Sequence, residues 1–107
     1  MTLSAAFFAS ADVQAREVEL PDGSKHTLHF RELPAVEFRK FQMAENAEDE
    51  ETRAGSIAKL IASSLVDAEG KPAITVKDAA RLNSAAANAI MSAILSVNGF
   101  GADRKNA

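Results

Sequence analysis

Gln14-Ala15-Arg16-Glu17-Val18-Glu19-Leu20-Pro21-Asp22-Gly23-Ser24-Lys25-His26-Thr27-Leu28-His29-Phe30-Arg31 is two polar-apolar runs of similar length around a proline-aspartate-glycine centre. Such a pattern predicts a β-hairpin, with strands Gln14 to Leu20 and Lys25 to Arg31. Two registers compete. A two-residue turn at Asp22-Gly23 pairs Val18 with Thr27 and puts Leu28 and Phe30 on the face opposite Val18 and Leu20. A three-residue loop, with Gly23 in the left-handed bulge position, pairs Leu20 with Ser24 and Val18 with His26. Val18, Leu20, His26, Leu28 and Phe30 then share one face, and Glu17, Glu19, Lys25 and Thr27 the other. A strand pair is fixed by having one face to bury, so the second register is the expected one.

Two strands are marginal in water. The hairpin therefore needs helices beneath it or strands from another copy, and the rest of the chain supplies helical patterns. The first helix is expected from Pro34 to about Asn46, with Ala35, Phe38, Phe41 and Glu45 along one side. Val36 and Met43, one heptad apart, lie nearly opposite that stripe, across Arg39 and Lys40. This second apolar face either packs under another helix or meets a partner.

Glu45-Asn46-Ala47-Glu48-Asp49-Glu50-Glu51 is the one conspicuous run of charge. Consecutive carboxylates repel one another and stay hydrated, and the run lacks the glycine and ligand spacing of a calcium loop, so it reads as the acidic start of the next helix. That helix is expected from about Glu51 to Val66, with Ala54, Ile57, Ala58, Ile61 and Leu65 on one face and Leu60 beside them. Asp67 to Pro72 supply turn chemistry, Gly70 taking a positive backbone angle. Thr75 and Asp78 have capping-box spacing for a short helix over about 76–82. A last helix over about 84–98 runs through Ala87, Ile90, Met91, Ile94 and Val97, stopping at Asn98-Gly99 with Phe100 folded back. The fold class expected is α+β, mainly α: an N-terminal β-hairpin followed by a small bundle of three to four helices. The single domain is expected over 13–101, between an arm at 1–12 and a flexible tail at 102–107.

Leu3 to Ala11 imitates a short signal peptide, but it lacks a positive leading segment and is far shorter than the roughly 20 residues of a membrane span. It reads as a frayed end or a docking arm in which Phe7 and Phe8 could pack onto a neighbouring subunit. The 107 residues carry a formal net charge of -3 and no cysteine. A phosphate-binding basic face is not indicated, so nucleic acid is not expected as a partner, and there is neither a disulfide framework nor a thiolate site. His26 and His29 point to opposite faces of a strand and cannot chelate one ion together. Ser63 and Ser64 lie in a helix without a nucleophile elbow, and no glycine loop cradles phosphate. No catalytic residue, cofactor or metal site is expected, nor a membrane partner. The candidate partner-binding residues are Phe7, Phe8, Val36 and Met43.

The order of the later elements carries a resemblance. Asp67, Gly70, Lys71 and Pro72, then Thr75, Leu82, Ala85 to Ala87, and Asn98-Gly99-Phe100 with Lys105-Asn106, follow an N-terminal hairpin. Each is built from common turn and cap residues; in this order, over residues 14 to 106, they resemble the tail assembly chaperones of long-tailed bacteriophages and prophages. The chain departs from that pattern in its plain Ala73-Ile74 and its weak N-terminal arm. The resemblance implies a non-catalytic viral protein of the host cytoplasm, absent from the finished tail. It would bind the helical tape measure protein, help recruit tail tube subunits and form homo-oligomers. The rival readings are a minor structural component of a phage tail or neck, and a small bacterial helical adaptor.

Overall fold

The structure, a computed structural model, describes residues 3, 4, 7–10 and 12–99, apart from the side chain of residue 54. The expected fold-back of Phe100, the expected tail at 102–107 and Lys105-Asn106 lie outside the described residues, as does the Ala54 side chain on the second helix's apolar face.

Strands β1 (Val13–Glu19) and β2 (Lys25–Arg31) form the hairpin in the three-residue-loop register. Val18 is opposite His26 and Glu19 opposite Lys25, and the Leu20 N–H donates to the Ser24 carbonyl at 2.9 Å. Gly23 closes the loop at φ 87, its N–H donating to the Leu20 carbonyl at 2.9 Å. An L-residue with a side chain rarely takes that angle. Asp22 holds the loop from outside, its Oδ1 accepting from both the N–H and the hydroxyl of Ser24 at 2.9 and 2.6 Å. Val18 and Phe30 are buried and Leu20 and Leu28 pack against the core. His26 shares their side of the strand but sits by the hairpin tip, exposed, with Nε2 3.0 Å from Ser24 Oγ.

Helix α1 (Ala35–Glu45) begins one residue after Pro34, which serves as its extended N-cap with ψ 152. Helix α2 (Glu50–Ser64) is capped by Asp49, whose carboxylate accepts from the Thr52 N–H at 3.1 Å and the Thr52 hydroxyl at 2.6 Å. Part of the acidic run therefore serves as a helix start. Glu45 does something else: its Oε2 lies 2.9 Å from the hydroxyl of buried Ser56, joining the end of α1 to α2.

The helix expected to reach Val66 ends at Ser64. Leu65–Val66 is instead a third strand, β3, antiparallel to β2, with Phe30 opposite Leu65 and His29 opposite Val66. The sheet order is β1-β2-β3. The reason is a pair of tertiary hydrogen bonds at the helix end. Ser64, fully buried, donates its hydroxyl to the Arg31 carbonyl at 3.0 Å, and Arg31 Nε donates to the Ser63 carbonyl at 2.8 Å. These hold the last turn of α2 against the end of β2, where the free edge of Phe30 and His29 accepts an extended chain. Asp67 then turns it back: its Oδ1 accepts from the N–H groups of Glu69 and Lys71 at 2.8 and 3.0 Å, and Gly70 adopts φ 87.

Short helix α3 (Val76–Ala79) is capped by Thr75, whose Oγ1 accepts from the Asp78 N–H at 3.1 Å. Helix α4 (Ser84–Val97) is capped by Asn83, accepting from the Ala86 N–H at 2.8 Å. Fully buried Phe30, Ile61 and Ile94 mark the centre of the core, drawn from the sheet, α2 and α4. Burying side chains of this size stabilises by roughly 1.5–3 kcal/mol each. The architecture is α+β and mainly α, a small sheet introducing four helices.

Candidate partner-binding surface

Helix α1 stands apart from the others in contributing no buried residue. Phe38 and Phe41 turn its inner side toward the core and are only partly buried. Successive residues advance about 100° around a helix, so the outer side is set by residues roughly opposite those two rings. Val36 and Met43, seven residues apart, differ by only about 20°, and both are well exposed, at 56% and 64%. Arg39 and Lys40 lie to either side of their ridge. Lys40 Nζ is 3.7 Å from Glu37 Oε2, a surface pair with most of the lysine side chain in water.

A cleft opens on each flank of α1. The first, about 500 Å³, runs between α1 and α2. Glu37, Lys40, Phe41 and Ala44 form one wall; Ser56, Lys59, Leu60 and Ser63 form the other; Val76, exposed at the start of α3, also lines it. The second cleft, about 510 Å³, lies between α1 and the N-terminal segment. Phe7 and Phe8 line it together with Leu33, Ala35, Phe38 and Arg39. The segment is tied there by the Ser10 N–H, which donates to Glu32 Oε1 at 2.7 Å.

The four candidate residues thus gather around one helix but do not form one patch. Phe7 and Phe8, themselves exposed, flank the second cleft, whereas Val36 and Met43 occupy the outer ridge and line neither cleft. Sequence reasoning passed over Lys40, Lys59 and Val76. The signal was present in the spacing of Glu37, Lys40, Phe41 and Ala44, which Ser56, Lys59, Leu60 and Ser63 repeat, but either row read alone is an ordinary helix. The Thr75 cap likewise gave no hint that Val76 faces outward.

Among the described residues no three His, Cys, Asp or Glu side chains converge as metal ligands, and no helix is long and apolar enough to cross a membrane. Two aspartates, one in the hairpin loop and one capping α2, have carboxyls held below the ordinary value of 3.8. Asp22 is lowered first by the Ser24 hydroxyl, and Asp49 first by the Thr52 hydroxyl.

A family model described as phage tail assembly chaperone matches residues 2–98. The chain belongs to the phage tail assembly chaperone family. No curated protein and no solved structure matches it. Family membership implies a non-catalytic role with phage tail proteins as partners.

Proposed function

We propose that this chaperone binds the tape measure protein during tail morphogenesis, keeps that long helical chain soluble and helps to recruit tail tube subunits, acting in the host cytoplasm without catalysis. The observation that carries the reading is the outer ridge of α1, where Val36 and Met43 present apolar surface on a helix with no buried residue of its own. Apolar side chains at heptad spacing suit an amphipathic helix as partner, and methionine adapts its shape to different neighbours. Homo-oligomerisation belongs to the same proposal: β1 forms an edge of the sheet, where another copy could add a strand, and Phe7 and Phe8 are exposed enough to reach a neighbouring subunit.

The test is co-expression of the full chain with the tape measure protein of the same phage or prophage, followed by affinity capture and mass determination of the complex. Specific capture of that protein with several chaperone copies supports the proposal. A tape measure protein that stays soluble by itself and is not captured overturns it, and recovery of the chain from purified virions would favour a structural tail component.

A further inference from the structure

The cleft between α1 and α2 has the dimensions and the symmetry of a seat for a third helix. Each wall presents residues at positions i, i+3, i+4 and i+7, so each row runs about 10 Å, or two helical turns, along its helix. Phe41 and Leu60 occupy equivalent places in the two rows, and Lys40 and Lys59 precede them on opposite walls. Exposed Val76 extends the apolar lining. A groove bounded by two helices is where a further helix packs ridge into groove.

The charge of the walls selects among occupants. Lys40 shares Glu37 at 3.7 Å, whereas Lys59, exposed on the facing wall, makes no ion pair among the described residues. We propose that this cleft binds an amphipathic helix of a partner protein whose apolar stripe meets half-buried Phe41 and exposed Val76 over a floor formed by buried Leu60, and whose flanks carry carboxylates opposite Lys59 and Lys40. The proposal rests on the chaperone reading and adds to it the seat and the chemical character of the bound helix. A second copy of this chain is a poorer occupant. The helix with apolar residues to spare is α1, and its Val36 and Met43 ridge is bordered by Arg39 and Lys40, which would set cations against Lys59.

The probe is a synthetic amphipathic helix about four turns long, with leucines at matching spacing and glutamates on the flanks, compared with the same peptide carrying lysines instead. Binding to the full chain is followed by fluorescence anisotropy and by amide resonances. The acidic peptide is expected to bind, to shift Leu60 and Val76, and to weaken with added salt. Lys59→Glu is expected to weaken it by about fivefold, while Lys77→Glu, the same charge change outside the cleft, leaves it unchanged. Equal binding of the two peptides, an unaltered affinity in Lys59→Glu, or protection of Leu60 by a second copy at high concentration would each overturn the assignment.

Failure of the cleft and failure of the chaperone reading separate cleanly. If the wild-type chain captures the tape measure protein and Lys59→Glu captures it equally well, the cleft is wrong and the function stands. If the acidic peptide binds the cleft but the wild-type chain captures no tape measure protein, the cleft stands and the function is wrong.

Discussion

Asn98 does more than end a helix. Its Oδ1 accepts from the Leu33 N–H at 2.8 Å while its Nδ2 donates to the Ile94 carbonyl at the same distance, so one side chain ties the entry to α1 onto the last turn of α4. Leu33 is buried, and a donor stripped of its acceptor there retains its desolvation cost. Asn98→Ala is therefore expected to destabilise the fold by about 1–3 kcal/mol in urea unfolding. Asn98→Asp, which keeps an acceptor for Leu33 but loses the donor, should cost less. Two glycines make an opposed pair at the same scale. Gly70 sits at φ 87 with Val13 Cγ2 3.4 Å from where a Cβ would lie, so Gly70→Ala should destabilise by about 1–2 kcal/mol. Gly55 lies inside α2 with open space at its Cβ position, and Gly55→Ala should stabilise by about 0.5–1 kcal/mol. Thermal melts of the two variants should shift in opposite directions. Gly70 was legible from its turn-rich neighbours, whereas Asn98 was legible only as a helix stop, because Leu33 is 65 residues away in the chain.

Helix α2 is fixed at its start by local chemistry and at its end by distant partners. Asp49 accepts two hydrogen bonds from Thr52, and its carboxyl lies below the ordinary value of 3.8 because those bonds favour the charged form, the hydroxyl contributing most. A carboxyl lowered in the folded state adds stability that is fully present above 3.8 and is lost as pH falls through the lower folded value. The wild-type melting temperature should therefore fall on acidification through that range, and Asp49→Asn, an uncharged cap, should make the fall shallower. Asp22 contributes in the same sense through Ser24 at the hairpin tip. The hairpin register was readable because period two and a Pro-Asp-Gly loop jointly leave one arrangement with a single apolar face. The far end of α2 was not, since Leu65-Val66 continues an apolar helical pattern equally well, and short apolar runs do not distinguish helix from strand.

For the whole molecule, the outer ridge of α1 should matter to association and not to folding. Val36→Glu combined with Met43→Lys is expected to shift unfolding free energy by no more than about 0.5 kcal/mol, as for other exposed positions, yet to remove the tape measure protein from affinity capture. Capture that survives both changes would take the ridge out of the binding surface. The two residues were legible because they fall opposite the Phe38 and Phe41 stripe. The cleft beside them was not, because its walls come from two helices and its further lining from Val76 of a third.

By itself the sequence determined the local alternatives: the hairpin and its register, the Asp67 turn, the capped start at Thr75, and the amphipathic faces of the helices. Each depends on residues within a few positions of one another, where backbone angles, caps and periodicity act directly. Only the tertiary structure decided that Leu65–Val66 leaves the helix, that Asn98 reaches Leu33, and that Phe41 and Leu60 line one groove. In the first case the unpaired edge of β2, with Arg31 bonded to Ser63 and Ser64, offers Leu65 and Val66 strand partners that a further helical turn would forgo, and such a preference exists only once sheet and helix have met.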